Sequence, residues 1–117
     1  MTRPILDDQH LHPAIRAQIS SYQLDILQEV QNAIIKHKVT VVGMAHNPYC
    51  IRATSLLEKH HIPCHYLEYG NYFGKWKERG ALKMWTGWAT FPMVFVDGVL
   101  IGGYNDLKKL IDNKELT

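Results

Sequence analysis

Apolar residues recur at intervals of three and four through the first third of the chain. The residues with this spacing are Ile15, Ile19, Tyr22, Ile26, Val30 and Ile34. Because an α-helix turns once in about 3.6 residues, this spacing places them on one helical face. Ser20-Ser21 predicts a break, so we expect a short helix from Pro13 and a longer one over residues 23–37. The residues before Pro13 show no periodicity and predict a loose arm.

Two short apolar runs further along predict strands with a helix between them. Residues 39–42 are β-branched and predict a buried strand, and residues 65–69 predict a second strand. Asn47 can cap the intervening helix, with Pro48 at its first position and Pro63 just after its end. A strand–helix–strand unit of this kind is normally parallel and right-handed.

The last third of the chain predicts a helix, a hairpin and a final helix. Residues 71–85 have helical spacing, which Gly80 weakens. The apolar residues 91–101 are interrupted by Asp97-Gly98, a pair that tolerates the positive φ of a hairpin turn. A helix follows over residues 105–112. The whole order predicts an α/β fold, a four-stranded mixed sheet with helices on both faces and an N-terminal helical extension.

The composition fits one folded domain and excludes several classes of function. The chain has 117 residues, of which 46% are hydrophobic and 21% charged. A formal charge of +2 gives no strong field for nucleic acid or an anionic membrane. No apolar stretch approaches the ~20 residues of a bilayer span, and the N-terminus has no signal-like apolar region. We therefore expect a cytoplasmic protein without nucleic-acid or membrane partners.

The cysteine and histidine residues offer several chemical interpretations. Cys50 could be a reactive thiol near a helix N-terminus or a small buried packing residue, and packing is the preferred interpretation. Cys64 is expected to be structural. His60, His61 and His65 lie close to Cys64 in the sequence but straddle a helix end and a strand, so we expect surface residues and no metal site.

A series of segments in the second part of the chain follows the pattern of a known family. The segments are residues 39–50, Thr90-Phe91-Pro92, Asp97-Gly98 and Ile101-Gly102-Gly103. Together they resemble the glutaredoxins, which have the thioredoxin fold. The resemblance covers about residues 24–116. It implies a glutaredoxin-like domain over residues 23–117, preceded by an arm and short helix over residues 1–22.

The motif at the predicted active site departs from that family. Asn47-Pro48-Tyr49-Cys50 resembles the dithiol motif Cys-Pro-Tyr-Cys, whereas residues 88–92 and 113–116 are most similar to the single-cysteine class. Asn47 stands where the family has its nucleophilic cysteine, and an amide can neither attack a disulfide nor ligate iron. Cys50 matches the second cysteine and becomes the candidate catalytic thiol. The resemblance thus implies weak or altered oxidoreductase activity. An iron–sulfur carrier is the least favoured alternative, because Cys50 or His46 would have to replace the absent ligand.

A glutathione site is the part of the resemblance that this chain retains. Thr90-Phe91-Pro92 matches the segment that pairs with glutathione, with Pro92 in cis, although an ordinary strand-starting proline fits the residues equally well. Gly103-Tyr104-Asn105 matches the helix start whose N–H groups hold the γ-glutamyl carboxylate. Arg79 matches a basic residue that pairs with the glycyl carboxylate, and its alternative is a solvated helix face. Asn47 and Tyr49 complete the expected contacts.

Two functional hypotheses follow from the resemblance. In the first, the chain is a glutathione-dependent thiol–disulfide oxidoreductase in which the Cys50 thiolate attacks a glutathionylated sulfur, with protein thiols as clients. In the second, it is a non-catalytic module that binds glutathione or a protein. Trp88 is expected in the core or the pocket wall rather than as a stacking platform for bases. His46 could donate a proton at the rim, but an exposed loop histidine is the preferred interpretation.

Overall fold

The fold consists of five α-helices and four strands along residues 2–116, which are described by a computed structural model. The helices are α1 Pro13–Ser21, α2 Leu24–Lys36, α3 Pro48–Lys59, α4 Trp76–Thr86 and α5 Tyr104–Asp112. The strands are β1 Val39–Gly43, β2 His65–Glu68, β3 Met93–Val96 and β4 Val99–Gly102. Within this part of the chain, no helix is long and apolar enough to cross a membrane.

The strands form one mixed sheet in the order β2-β1-β3-β4. β1 and β2 are parallel, whereas β1 pairs with β3, and β3 with β4, in antiparallel fashion. Every residue of β1 is buried, as expected for a β-branched run in the centre of a sheet. At the hairpin, Asp97 and Gly98 have φ values of 50° and 80°, the left-handed conformation that such a turn needs.

Helices cover both faces of the sheet, which confirms the predicted architecture. On one face, Val30 of α2 and Leu82 of α4 pack against Val42 and Met93. On the other, Leu57 of α3 and Leu107 of α5 pack with other sheet residues, among them Val94. This arrangement brings the N-terminal ends of α3 and α5 towards the strand that follows Pro92, and these ends build the candidate site.

The predicted break in the N-terminal extension is confirmed, because α1 ends at Ser21 and α2 begins at Leu24, but the apolar residues of the two helices do not share one face. Val30 is buried, but α1 has no buried residue, and Ile15 and Ile19 are 41% and 50% exposed. The chain changes direction at Gln23, whose φ is 50°, so the apolar stripe of α1 does not continue onto that of α2. The arm before α1 is not wholly loose, because Arg3 donates hydrogen bonds to carbonyls at the end of α4.

The helix predicted over residues 71–85 begins later, at Trp76. The side-chain oxygen of Asn71 accepts a hydrogen bond from the N–H of Phe73 at 2.8 Å, which stabilises a local turn. Lys75 then adopts a left-handed φ of 57° just before the first helical residue. The apolar spacing carries no signal of these local turn interactions, so it predicts a helix that starts too early.

Candidate functional site

The first turn of α3 is capped by the residue that replaces the expected nucleophile. The Asn47 side-chain oxygen accepts hydrogen bonds from the N–H groups of Tyr49 at 2.9 Å and Cys50 at 3.2 Å. Pro48 occupies the first helical position, where no N–H is needed. His46 precedes the cap as an exposed residue with a φ of 61°. Asn47 therefore directs its amide at its own helix, as a capping residue does.

Cys50 lies behind this cap, inside the core. The residue is 1% exposed and belongs to the same apolar cluster as Met44. Burial raises the pKa of the Cys50 thiol; a backbone hydrogen bond with Met44 lowers it in part, and the Glu68 carboxylate adds to the rise. A raised pKa leaves little thiolate near neutral pH, and the thiolate is the nucleophilic form. The arrangement supports the packing interpretation of Cys50.

Gly43 gives Cys50 the space that it occupies. A Cβ on Gly43 would lie 2.9 Å from the Cys50 Sγ and 2.8 Å from the Tyr66 hydroxyl. Contacts this short do not occur between real side chains, so the absence of a side chain at the end of β1 lets both residues approach the backbone. The thiol is thus enclosed by strand residues and is directed away from the solvent.

A groove of about 220 Å³ runs beside the Phe91–Pro92 peptide bond, which is cis, as the resemblance implies. The residues that line it are Tyr49, Trp88, Thr90, Phe91, Pro92, Gly103, Tyr104, Asn105 and Asp106. Its walls therefore come from the start of α3, the segment before β3 and the start of α5. We call this cavity the Pro92 groove.

The start of α5 forms the end of the Pro92 groove. The Asp106 side chain accepts a hydrogen bond from the N–H of Gly103 at 3.0 Å. Gly102 has a φ of 120°, and a Cβ there would overlap the Asp106 carboxylate, so this cap requires glycine. The N–H groups of Tyr104 and Asn105 belong to the first turn, which has no carbonyl of a preceding turn to bond, and they lie at the positive end of the helix dipole. Such a helix start can hold a carboxylate.

Asn47 and Arg79 are the two expected ligand contacts that do not line the groove. Arg79 is only 8% exposed, and its guanidinium donates to the carbonyls of Tyr69 at 2.9 Å and Gly74 at 2.6 Å. It therefore holds the loop before α4, and it does not lie on the solvated helix face of the alternative interpretation. Lys83, one turn further along α4, places its Nζ 5.7 Å from the centre of the Phe91 ring.

Three residues next to the groove are not among the individual glutathione contacts that the sequence predicts. The sequence predicts Trp88 in the core or the pocket wall, and Trp88 lines the groove with a buried indole N–H that has no hydrogen-bond partner among residues 2–116. Asp106 carries a detectable signal, because an acidic residue three positions after a helix cap favours capping. Lys83 belongs to the basic stretch of α4, but only the structure distinguishes its position from that of Arg79.

The residues at this site do not fit a metal or an iron–sulfur cluster. Cluster ligation requires accessible thiolates, whereas Asn47 is an amide and Cys50 is buried. Within the described residues, no three histidine, cysteine or acidic side chains are grouped so that they could hold a metal ion together.

The sheet is mixed and four-stranded, and a cis-proline precedes β3. This proline lies across the groove from the N-terminus of α3, the helix that follows β1. Together these features define a thioredoxin-like fold. The sequence model of the family described as Glutaredoxin matches residues 39–101. The chain belongs to the glutaredoxin family.

Individual relatives agree with this assignment. A glutaredoxin-like protein of Dictyostelium discoideum is 43% identical over 98 residues, which cover 84% of this chain and 80% of the relative. Glutaredoxin 1 of Rickettsia prowazekii is 34% identical over 79 residues, covering 68% of this chain and 82% of the relative. The crystal structure of a buckwheat glutaredoxin–glutathione complex has the same fold, with a TM-score of 0.69 and 23% identity over 81% of this chain and 86% of that one.

Proposed function

We propose that this chain binds glutathione in the Pro92 groove without forming a covalent bond to it. The observation behind the proposal is the contrast between an open groove at the cis-proline and a neighbouring thiol that is 1% exposed. Glutaredoxins use glutathione, and the buckwheat protein of the same fold was crystallised with it. The groove keeps the backbone features of such a site, whereas the nucleophile is replaced by Asn47.

Each part of the tripeptide has a complementary group in the proposed complex. The main chain at Phe91 can pair with the cysteinyl residue in the manner of an added strand. The N–H groups at the start of α5 receive the γ-glutamyl carboxylate, and Asp106 offers a negative charge for its ammonium group. Lys83 supplies a cation for the glycyl carboxylate, in the role that the sequence resemblance assigned to Arg79.

The geometry does not favour thiol–disulfide exchange through Cys50. Attack on a glutathionylated sulfur needs an accessible thiolate, whereas this thiol is enclosed by the core and its pKa is raised by burial. Asn47 has no sulfur, so it cannot supply the thiolate that Cys50 does not provide. We therefore choose the non-catalytic hypothesis over the oxidoreductase hypothesis.

Titration of the isotope-labelled protein with reduced glutathione tests the binding. We expect saturable NMR shifts at residues 90–92 and 103–105 and no added mass by mass spectrometry. Lys83→Ala should weaken the affinity by about two- to fivefold, as for an exposed ion pair. Lys77→Ala is the matched control, because the Lys77 Nζ lies over the Trp76 ring. An absence of saturable shifts at millimolar glutathione would overturn the proposal.

A second experiment tests whether the site forms no covalent bond to glutathione because position 47 has no thiol. In Asn47→Cys/Cys50→Ser, we expect the introduced thiolate to attack oxidised glutathione, form a protein–glutathione disulfide and release one glutathione thiolate. Asn47→Ser/Cys50→Ser is the matched control and should form no adduct. Rapid glutathione-dependent disulfide reduction by the wild type that is lost in Cys50→Ser would instead establish the oxidoreductase hypothesis.

A further inference from the structure

The Pro92 groove has an unusually aromatic lining. Four of its nine residues are aromatic: Tyr49, Trp88, Phe91 and Tyr104. Tyr49 is in the first turn of α3 and Tyr104 begins α5, and their ring centres are 6.3 Å apart with planes inclined by 50°. We call these two residues the tyrosine pair. They form an aromatic wall at the mouth of the groove.

The tyrosine pair leaves apolar surface uncovered. Tyr49 is 50% exposed, and the Arg52 guanidinium lies 5.2 Å from the centre of its ring. A cation in this position stabilises the ring orientation by a cation–π interaction. Covering this surface with a second apolar or aromatic group lowers the free energy of the complex, because the apolar surface is removed from water.

The free thiol of glutathione is poorly suited to cover that surface. A thiol is small, and the chemistry that would otherwise hold it is missing, because Asn47 caps its own helix and Cys50 is buried. The sulfur occupies the middle of the tripeptide, so a group attached to it would leave the chain between the two bound ends. In the proposed complex, that point faces the tyrosine pair beside Phe91.

We infer that the groove selects thioether conjugates of glutathione whose sulfur carries an aromatic group over the free thiol. This inference rests on the proposed function and names its ligand class. An aromatic contact contributes about two- to tenfold in affinity. The charge of Arg52 next to Tyr49 adds discrimination, since a cationic substituent would be repelled there.

Calorimetric titration of the full chain with glutathione, S-methylglutathione and S-benzylglutathione tests the inference. We expect S-benzylglutathione to bind about fivefold more tightly than S-methylglutathione, which carries the same charges. Tyr49→Ala and Tyr104→Ala should each reduce this ratio towards one. Tyr72→Ala is the control, because Tyr72 is 61% exposed and lies outside the groove.

The possible results separate the inference from the proposed function. If none of the three ligands binds, the proposed function fails and the inference fails with it. If glutathione binds but S-benzylglutathione binds no more tightly than glutathione or S-methylglutathione, or if the ratio survives in the variants, only the inference is overturned. Tyr49 is exposed at its helix start, so Tyr49→Ala keeps the test decisive even if Tyr104→Ala does not fold.

Discussion

The side-chain oxygen of Asn47 accepts a hydrogen bond from the backbone N–H of Cys50 at 3.2 Å. This contact joins the residue at which the resemblance predicts a nucleophilic cysteine to Cys50. The cap satisfies N–H groups that would otherwise be free to stabilise an anion at the helix start. At the position where the resemblance predicts a nucleophilic cysteine, Asn47 therefore supplies no sulfur, and its side chain occupies part of the anion site of α3.

Loss of the Asn47 cap should destabilise the protein. We expect Asn47→Ala to lower the free energy of unfolding by about 1 kcal/mol, because two N–H groups lose their acceptor. Asn47→Ser should stay within a few tenths of the wild-type value, since a hydroxyl can also cap a helix. Urea denaturation measures both, and equal stability of the alanine variant and the wild type would contradict the capping role.

Burial should protect the Cys50 thiol from modification. In Cys64→Ser, where Cys50 is the remaining cysteine, we expect labelling by iodoacetamide to be far slower in the native protein than in urea. Cys50→Ser leaves the partly exposed Cys64, which in the native state should be labelled faster than Cys50 is in native Cys64→Ser. Mass spectrometry follows both reactions. Native labelling of Cys50 as fast as in urea would show that the thiol is accessible.

Local signals in the sequence were sufficient to predict the elements around the groove. The dipeptides Asn47-Pro48 and Asp97-Gly98 specify a helix start and a hairpin turn through their own backbone preferences, and the structure has both. The strand at residues 39–42 was equally clear, because a β-branched run is typical of a buried central strand. Such features depend on a few neighbouring residues and need no tertiary information.

Features that depend on distant contacts could not be predicted in the same way. The carbonyls that bind Arg79 belong to Tyr69 and Gly74, whose approach depends on the loop before α4. The burial of Cys50 depends likewise on Gly43 in a different element. The sequence pattern is compatible with either a buried or an exposed position for Arg79 and Cys50, and tertiary packing decides which of the two occurs. The cis bond before Pro92 was predicted from the family resemblance rather than from residue preference.

Stability should fall at alkaline pH because the core holds neutral thiols. The pKa of Cys50 is raised above its ordinary value of 9.0, and that of Cys64 is raised as well. The folded state then keeps protons that the unfolded state loses, so the stabilisation is complete below about pH 9 and declines as the pH rises towards the folded pKa. Tyr66 and Tyr69 add to this decline above pH 10.0, the ordinary pKa of tyrosine, since burial raises the pKa of both.

The contribution of Cys50 is isolated by measuring the free energy of unfolding of the wild type and of Cys50→Ala between about pH 8 and about pH 10, the range in which an ordinary thiol titrates. Cys50→Ala should be less stable than the wild type at neutral pH, yet it should lose less stability over this interval. Equal pH dependence of the two proteins would contradict a raised pKa of Cys50.

A side chain at Gly43 should be poorly tolerated. Its Cβ would approach both the Tyr66 hydroxyl and the Cys50 Sγ within 3 Å. We expect Gly43→Ala to lower the free energy of unfolding by about 1–3 kcal/mol through overpacking. Gly80→Ala is the contrasting control, because a Cβ there meets no atom within 4 Å and alanine favours the helix by about 0.5–1 kcal/mol.

A double-mutant cycle locates the source of the Gly43 strain. In the Cys50→Ala background one of the two close contacts is gone, so Gly43→Ala should cost less than in the wild type. The same penalty in both backgrounds would show that the Tyr66 contact or the backbone accounts for the whole effect.

The N-terminal arm should be coupled to the end of α4 through Arg3 and Gly87. Arg3 donates hydrogen bonds to the carbonyls of Thr86 at 2.7 Å and Trp85 at 3.3 Å, and a Cβ on Gly87 would overlap its guanidinium. Gly87 also has a left-handed φ of 76°. Gly87→Ala should therefore cost about 1–2 kcal/mol from the backbone, together with the loss of Arg3 docking.

Because the docking loss is absent when Arg3 is already removed, Gly87→Ala should cost less in the Arg3→Ala background than in the wild type. In the Arg16→Ala background its cost should be unchanged, since the Arg16 side chain bonds locally to the Leu11 carbonyl. The hydroxyl of Thr86 accepts the N–H of Trp88 at 3.1 Å, so Arg3→Ala should also shift the Trp88 amide resonance in NMR spectra. Strict additivity in urea denaturation, together with an unmoved Trp88 resonance, would show that the arm is independent of the segment that leads into the groove.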